Sequence, residues 1–347
     1  MSSRVRRRNY KRIIMKRFAT YIFIALIAAT AVSCNRSRTR KALLPNISGK
    51  PGEIIVVIGK NYWEGALGTV VRDSLEIEFP FLPQSEPMYE LVNVAPNGFT
   101  SMFQIHRNII VANVSADVTE PGVIYRNDVW AAPQCVIRLN APTEEIAIEL
   151  FQQNSEKIKA VLEQAERARV IANTKRYEQR DLAPIVTAMV GGSPHFPSGY
   201  RLKGRSENFL WITYDPQFTE QSILIYKYPV VEGEDMMSPE ALLQAQSKMM
   251  QEHVPGMRDD SYMIINPIIS PSVGYKKYGP HQFAEIRGLW EVHNDYMGGP
   301  FVSHVFYTPD GKNMILMEAF VYAPKYEKKN YLKQVESVLY SFEWKKE

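Results

Sequence analysis

The sequence predicts an α+β fold: mostly antiparallel sheet packed with helices, in two subdomains of similar size, the C-terminal one sandwich-like. Three observations lead there. Apolar runs of strand length come in groups instead of alternating regularly with helices. Two stretches with helical spacing, near 143–172 and 325–340, close the two strand groups. Between the groups lies an evident break, Gly191-Gly-Ser-Pro-His-Phe-Pro-Ser-Gly199. A chain of 347 residues, 45% hydrophobic, has material for one large domain or two ordinary ones. We therefore expect a subdomain over 51–190 and a second over 191–347.

The first element is Glu53-Ile-Ile-Val-Val-Ile-Gly59, a near-continuous apolar strand of the kind buried on both faces. A helix follows, with Leu67, Val70, Val71 and Leu75 on one face and Asn61 as its expected cap. Prolines at 80, 83 and 87 break the chain, and extended segments are expected at 89–94, 108–114 and 135–139 in a largely antiparallel sheet. From Thr143 to about Ala172, Ile146, Leu150, Phe151, Ile158, Val161, Leu162 and Ala165 recur at helix spacing, with a split expected at Asn154-Ser155. More helix reaches towards Met189, interrupted at Pro184.

Beyond the break, strands are expected at 200–203, 208–214 and 222–228, then a helix capped by Ser238 with Pro239 and Glu240 in its first turn, running to His253. Strands resume at 282–292, 302–308 and 314–322, with Pro309-Asp-Gly-Lys312 as a hairpin turn between the last two. The final helix carries Tyr331, Leu332, Val335, Val338 and Leu339 towards the sheet. Sheet, hairpin and closing helix resemble, at the level of fold only, the C-terminal part of the extrinsic photosystem subunit P sandwich, which transfers no function.

The amino end reads as an address. Eight basic residues and no acidic one precede an uncharged apolar run over 21–32, the length of a signal-peptide core and too short to span a bilayer. Met15 also begins a complete signal peptide. After the run comes Ala31-Val32-Ser33-Cys34, which resembles the bacterial lipobox; the resemblance implies removal of residues 1–33 and acyl chains on Cys34. Residues 34–50 then form a basic tether with Arg36, Arg38, Arg40, Lys41 and Lys50.

Removing the signal changes the charge argument. The whole chain is +4, but taking its eight basic residues from 41 leaves 33 against 37 acidic ones. The tether takes five more, so the body beyond it is acidic, 28 against 37. A basic tether suits anionic headgroups, and an acidic body argues against nucleic acid as a partner. With Cys34 acylated, Cys135 has no disulfide partner, and its setting in Gln134-Cys-Val-Ile-Arg-Leu139 reads as a buried small hydrophobe.

A family resemblance rests on GKPGEIIVVIGKNYWEGALGTVVRD, LPQSEPMYELVNV, RNIIVANV, NDVWAAPQCVIRL and NFLWITY, in that order behind a lipoprotein signal. Together these resemble an uncharacterised lipoprotein family of Bacteroides-type bacteria, a domain of unknown function. The Trp63-Glu64-Gly65 turn and the Leu82-Pro83-Gln84 segment are its most distinctive parts. The resemblance implies an envelope lipoprotein of two-layer α/β type and assigns no catalytic or binding residue.

The common phosphate, zinc and nucleophile-elbow signatures are missing from the sequence, and no cofactor is expected. The densest cluster of titratable residues is His281, Glu285, His293, Asp295 and His304, of which His293, Asp295 and His304 are the weak candidates for a metal. The plainer reading puts His293 and Asp295 in a turn and His304 facing solvent. Glu285, Arg287 and Glu318 interrupt apolar strands and are expected to form cross-strand ion pairs; the rival is a hydrolase's carboxylate couple. Ser193 reads as loop. Aromatic clusters at Tyr62/Trp63, Trp211/Tyr214/Tyr226/Tyr228 and Trp290/Tyr296/Phe301 can stack on a sugar or peptide, with Trp63, Trp211, Trp290 and Tyr296 as candidate ligand contacts.

The function these features favour is a membrane-anchored envelope lipoprotein, non-enzymatic, binding an envelope protein or glycan. An envelope-polymer hydrolase working through carboxylates or a metal on the C-terminal sheet is the alternative. Asn35-Arg-Ser-Arg38 after the lipid site, in place of an acidic tract, favours a periplasm-facing body. If Glu285, His293, Asp295, Glu318 or His304 converge in a concave pocket, chemistry is favoured; if they point apart or pair off internally, the enzyme reading fails.

Overall fold

A computed structural model describes residues 43–345, so the signal segment, Cys34 and most of the tether lie outside the described residues. The class is α+β, with seven α-helices and fifteen strands among the described residues. The first unit comprises strand β1 (Glu53–Val57), helices α1 (Lys60–Glu64) and α2 (Ala66–Leu75), strand β2 (Glu90–Val94), helix α3 (Ser101–Gln104), strands β3 (Asn108–Val114), β4 (Gly122–Asn127) and β5 (Cys135–Ala141), and helix α4 (Glu144–Arg176).

Its sheet, ordered β2-β1-β3-β5-β4, is parallel at three of its four pairings, and only the edge strand β4 runs antiparallel. This corrects the antiparallel expectation for the first unit. The reason is legible in β1: a strand apolar at nearly every position must be covered on both faces, which parallel sheets with crossover helices achieve. Helices α2 and α4 bury one face, around Ile54, Val56, Leu67, Val71 and Phe151, while Phe99, Phe103 and Trp130 close the other over Ile55, Val57 and Val136.

Two local expectations also change. Asn61 lies inside α1, whose cap is Gly59, and the helical stretch is broken at Gly65. Helix α4 is unbroken for 33 residues from its Thr143 cap. Asn154 and Ser155 do not split it, because both side chains bond back to helix carbonyls, Asn154 to Leu150 O and Ser155 to Gln152 O.

After α4 come helix α5 (Leu182–Val190), strands β6 (Gly192–Ser193), β7 (Arg201–Arg205), β8 (Phe209–Tyr214) and β9 (Glu220–Pro229), helix α6 (Pro239–His253), strands β10 (Met263–Ile265), β11 (Ser272–Tyr278), β12 (His281–Val292), β13 (Gly298–Tyr307) and β14 (Asn313–Tyr322), helix α7 (Lys329–Leu339) and strand β15 (Glu343–Trp344). Gly191, at φ 82°, ends α5 in the left-handed conformation that glycine adopts without strain. Pro184 sits in the first turn of α5, where a missing N–H costs no helix bond. Leu182, Val186 and Val190 of this helix join the core of the second unit.

One curled antiparallel sheet dominates that unit, ordered β10-β12-β13-β14-β9-β8-β7, with β11 also paired to β12. Helices α5 and α7 cover one face over Ile212, Ile223, Val302 and Ala319; α6 covers the other over Leu224, Ile286, Val305 and Leu316. The Ser238 side chain caps α6 through Ala241 N, as the sequence predicts. Asp310 Oδ1 accepts from Thr308 Oγ1 and Lys312 N, closing the predicted hairpin.

The two units are joined along α4 and α7. Glu86, in the proline-broken segment of the first unit, accepts from the backbone N–H groups of Lys328 (2.6 Å) and Lys329 (3.0 Å), so its carboxylate caps the start of α7. Lys333 bonds Glu163 at 2.8 Å, and Glu163 accepts from the Tyr89 hydroxyl at 2.6 Å. Arg167 lies 3.5 Å over the Tyr340 ring.

Candidate functional site

The chemical candidates on the large sheet divide between its faces. In register, Glu285 stands opposite His304 and His304 opposite Met317, whereas Glu318 stands opposite Ser303. Consecutive residues of a strand point to opposite faces, so Glu285 and His304 look towards α7 and Glu318 towards α6. The carboxylates that a glycosidase would need as a couple are therefore separated by the sheet.

On the α7 face, Arg287 holds Glu285 with two donors, Nε to Oε1 at 2.9 Å and Nη2 to Oε2 at 3.2 Å, and also pairs with Glu336 of α7. The ion pair forms, though along one strand and onto a helix instead of across strands. Tyr340 OH donates to Glu285 Oε2 at 3.1 Å, and Arg167 Nη2 reaches Glu336 at 3.7 Å. Burial alone raises the Glu285 carboxyl, but the Arg287 guanidinium outweighs it and holds the group down at about 2.

His304 does not face solvent. It is buried between the rings of Phe283 (4.0 Å) and Tyr340 (4.6 Å), its Nε2 3.9 Å from Glu285 Oε2. Burial lowers its pKa to about 3 against the pull of Glu285, so it is neutral at ordinary pH. On the opposite face Glu318 is 0% exposed and accepts from Gln246 Nε2 (2.5 Å) and Ser303 Oγ (3.1 Å). Burial pushes its carboxyl up to about 7, the two hydrogen bonds only partly offsetting it.

His293 stacks on Tyr262 at 5.0 Å, and Asp295 accepts from Tyr296 N, both in the β12–β13 turn. These residues and His304 are not brought together, and no group of three or more potential metal-ligating side chains occurs among the described residues. Cys135 is buried in the first core, and burial raises its thiol to about 11, which removes it as a nucleophile. Ser193 donates to the neighbouring Pro194 carbonyl.

The aromatic candidates also scatter. Trp290 packs into the core at 5.1 Å from Phe320, and Trp211 is buried with Nε1 donating to Ser222 Oγ and Lys203 3.9 Å over its ring. Trp63 is half-buried under Arg72. Tyr296 is 99% exposed at the turn.

A cleft does exist elsewhere, where α4, the start of β7 and the β8–β9 hairpin meet. It encloses about 450 Å³ and is lined by Arg169, Thr174, Tyr200, Tyr214, Gln221 and Gln334, among others. That is the size of small-molecule sites, about 300–1,000 Å³. Of these residues, the sequence had marked only Tyr214. Gln221 carried a usable signal: it occupies an inward position of the alternation Gln221, Ile223, Ile225, where a polar residue needs a reason.

With this geometry in view, residues 180–341 match the family model described as Domain of unknown function (DUF4837), and residues 47–175 match Domain of unknown function (DUF8532). The N-terminal match ends and the C-terminal one begins next to the end of α4. No curated protein matches the chain. Among solved structures, the Ran-binding protein Mog1p of Saccharomyces cerevisiae is similar at 8% identity and a TM-score of 0.30, over 44% of this chain and 90% of that one.

Proposed function

We propose that the chain is a lipoprotein of the bacterial cell envelope, held at the membrane by acyl chains on Cys34, whose body is a non-enzymatic binding module facing the periplasm. The observation that carries the second half is one of partnership. Glu285, Arg287, Glu336 and Glu318 are bonded to protein groups inside the fold, whereas the junction cleft is lined by amides and hydroxyls that are not. Catalysis needs titratable groups aimed at a substrate; a binding cleft needs polar groups in want of a partner.

The lipid anchor is supported by the basic residues ahead of the 21–32 apolar run, by Ala31-Val32-Ser33-Cys34, and by the basic tether that follows. No helix among the described residues is long and apolar enough to cross a membrane. Cys34→Ala in the full chain is expected to move the protein from the membrane to the soluble fraction on cell fractionation. Continued membrane retention of the variant would sink the anchor.

A further inference from the structure

We infer that the junction cleft is a saccharide-binding site for a neutral sugar segment, with Tyr214 as its stacking platform and Gln221 as the amide that reads ring hydroxyls. The inference rests on the binding-module reading above and gives it a ligand class.

The site begins in the β8–β9 hairpin, where Tyr214 and Gln221 are direct cross-strand neighbours and share the face that carries Ile212 and Ile223. Along the hairpin, Leu210 and Ile212 of β8 and Ile223 and Ile225 of β9 lead on this face to a ring and an amide at the cleft. Tyr214 stacks on Tyr200 at 5.7 Å and 24°, which fixes its plane. Gly199 lies against the ring edge at φ 91°; a Cβ there would come within 3.2 Å of it. Tyr214 still keeps 37% of its surface exposed. A ring braced on one side and open on the other is the arrangement that stacks on the C–H face of a pyranose.

Around that platform, three polar residues are buried without a protein partner. Gln221 is 5% exposed, Thr174 4% and Tyr200 4%, and among the described residues none of the three side chains makes a hydrogen bond. Their polar atoms are not cut off from solvent and open into the cleft, where a ligand's hydroxyls can take the place of water.

The cations of the cleft wall are largely committed to protein partners, which favours an uncharged ligand over an anion. Arg169 is the cation deepest in the cleft wall, and all three of its nitrogens are engaged: Nε by Pro133 O, Nη1 by Asn108 Oδ1 and Glu166, Nη2 by Arg107 O. Arg107 gives Nη2 to the same Glu166 at 2.6 Å and Nη1 to Gly49 O at 3.5 Å, which leaves its buried Nε as the one nitrogen without a partner among the described residues. Topology decides against an extended peptide. Strands β8 and β9 are both paired on both sides, so the cleft offers no free strand edge to add a chain to. What remains is recognition by ring, amide and hydroxyl of an uncharged molecule that has apolar faces and many hydroxyls.

The test is calorimetric titration of the full chain in detergent with three neutral disaccharides, diacetylchitobiose, cellobiose and maltose, and with a neutral tetrapeptide as comparator. At least one disaccharide is expected to bind saturably and be recovered intact. Tyr214→Ala and Gln221→Ala should each weaken it about tenfold, as loss of a stacking or buried polar contact does. Tyr214→Phe should bind as the parent does, and equal melting temperatures would establish that all variants are folded. Failure of every disaccharide, or binding indifferent to both alanine variants, overturns the saccharide site; binding of the peptide alone does so while leaving the module a binder. Recovery of monosaccharides from a bound disaccharide would instead overturn the non-enzymatic reading.

Discussion

Arg287→Ala is expected to destabilise the protein by about 3–5 kcal/mol in denaturant titration, the cost of removing one partner of a buried ion cluster. Among the described residues the guanidinium is the only cation that touches both Glu285 and Glu336, and those carboxylates are buried against the apolar contacts of α7 with the sheet. Without it, Glu285 keeps the Tyr340 hydroxyl, the distant His304 and the field of Lys276, and Glu336 keeps Arg167 at 3.7 Å. Two carboxylates would then be left buried without the cation that balances them, at the expense of folding. The mechanism makes a second, sharper demand. Replacing the three together, Glu285→Leu, Arg287→Met and Glu336→Leu, is expected to recover most of the loss, since well-packed apolar groups often equal a buried ion cluster. A triple variant no better than Arg287→Ala would show that the cluster's charge is not what matters.

That cluster also marks how far sequence reading reached. Glu285 and Arg287 were visible as charges interrupting an apolar strand, and so their pairing was legible. Their third member was not, because Glu336 lies on a helix whose apolar stripe, Leu332, Val335, Val338 and Leu339, accounts for one buried face only. Lys329 is buried as well, against Pro87 and Glu90, and Glu336 and Ser337 are buried near Arg167 of α4. A helix covered from two sides shows a period only for the apolar side. The long apolar strands, the Asp310-Gly311 hairpin and the Ser238 cap were read correctly, because each is specified by neighbours a few residues away. Strand β11, Ser-Val-Gly-Tyr-Lys-Lys-Tyr, has no apolar alternation and is held by pairing with β12, so nothing in its own residues announces it. Glu86 capping α7 joins residues about 240 apart in the chain, beyond any local pattern. The cleft escaped for the same reason: Thr174 and Tyr200 meet only after the units pack.

Glu318 leads to the second large effect, which appears as a dependence on pH. In the unfolded chain its carboxyl titrates near 4.5; in the fold, burial lifts it to about 7. The folded state therefore prefers the protonated acid. The stability associated with that preference is fully present below pH 4.5, falls as pH rises through 7, and is gone above it. A gap of this size corresponds to about 3 kcal/mol. Glu318→Gln keeps the shape without the titration, so above pH 7 the variant is expected to be more stable than the parent by about that amount. The advantage should shrink to little by pH 4.5. Because His304 and Glu285 titrate in both proteins with the opposite sign, the difference between the two denaturation curves isolates Glu318. A difference that does not change between pH 4.5 and 8 would show that the acid is charged in the fold. Gln246 Oε1 and Glu318 Oε1 are both buried without a donor, and a proton on Glu318 is the simplest relief.

Helix α4 has a consequence for how separable the two sequence segments are. At 33 residues it is about 50 Å long, and it belongs by sequence to the first domain alone. Its later turns nevertheless hold the second: Glu163 receives Lys333, Arg167 covers Tyr340 and reaches Glu336, and Lys175 bonds Glu343. In return Glu86 caps α7 from the first domain. A recombination event between residues 176 and 180 would cut where the family boundary lies and leave charged, half-dressed surfaces on both products. The two segments are spliced like a beam into a wall, so neither presents a finished surface without the other.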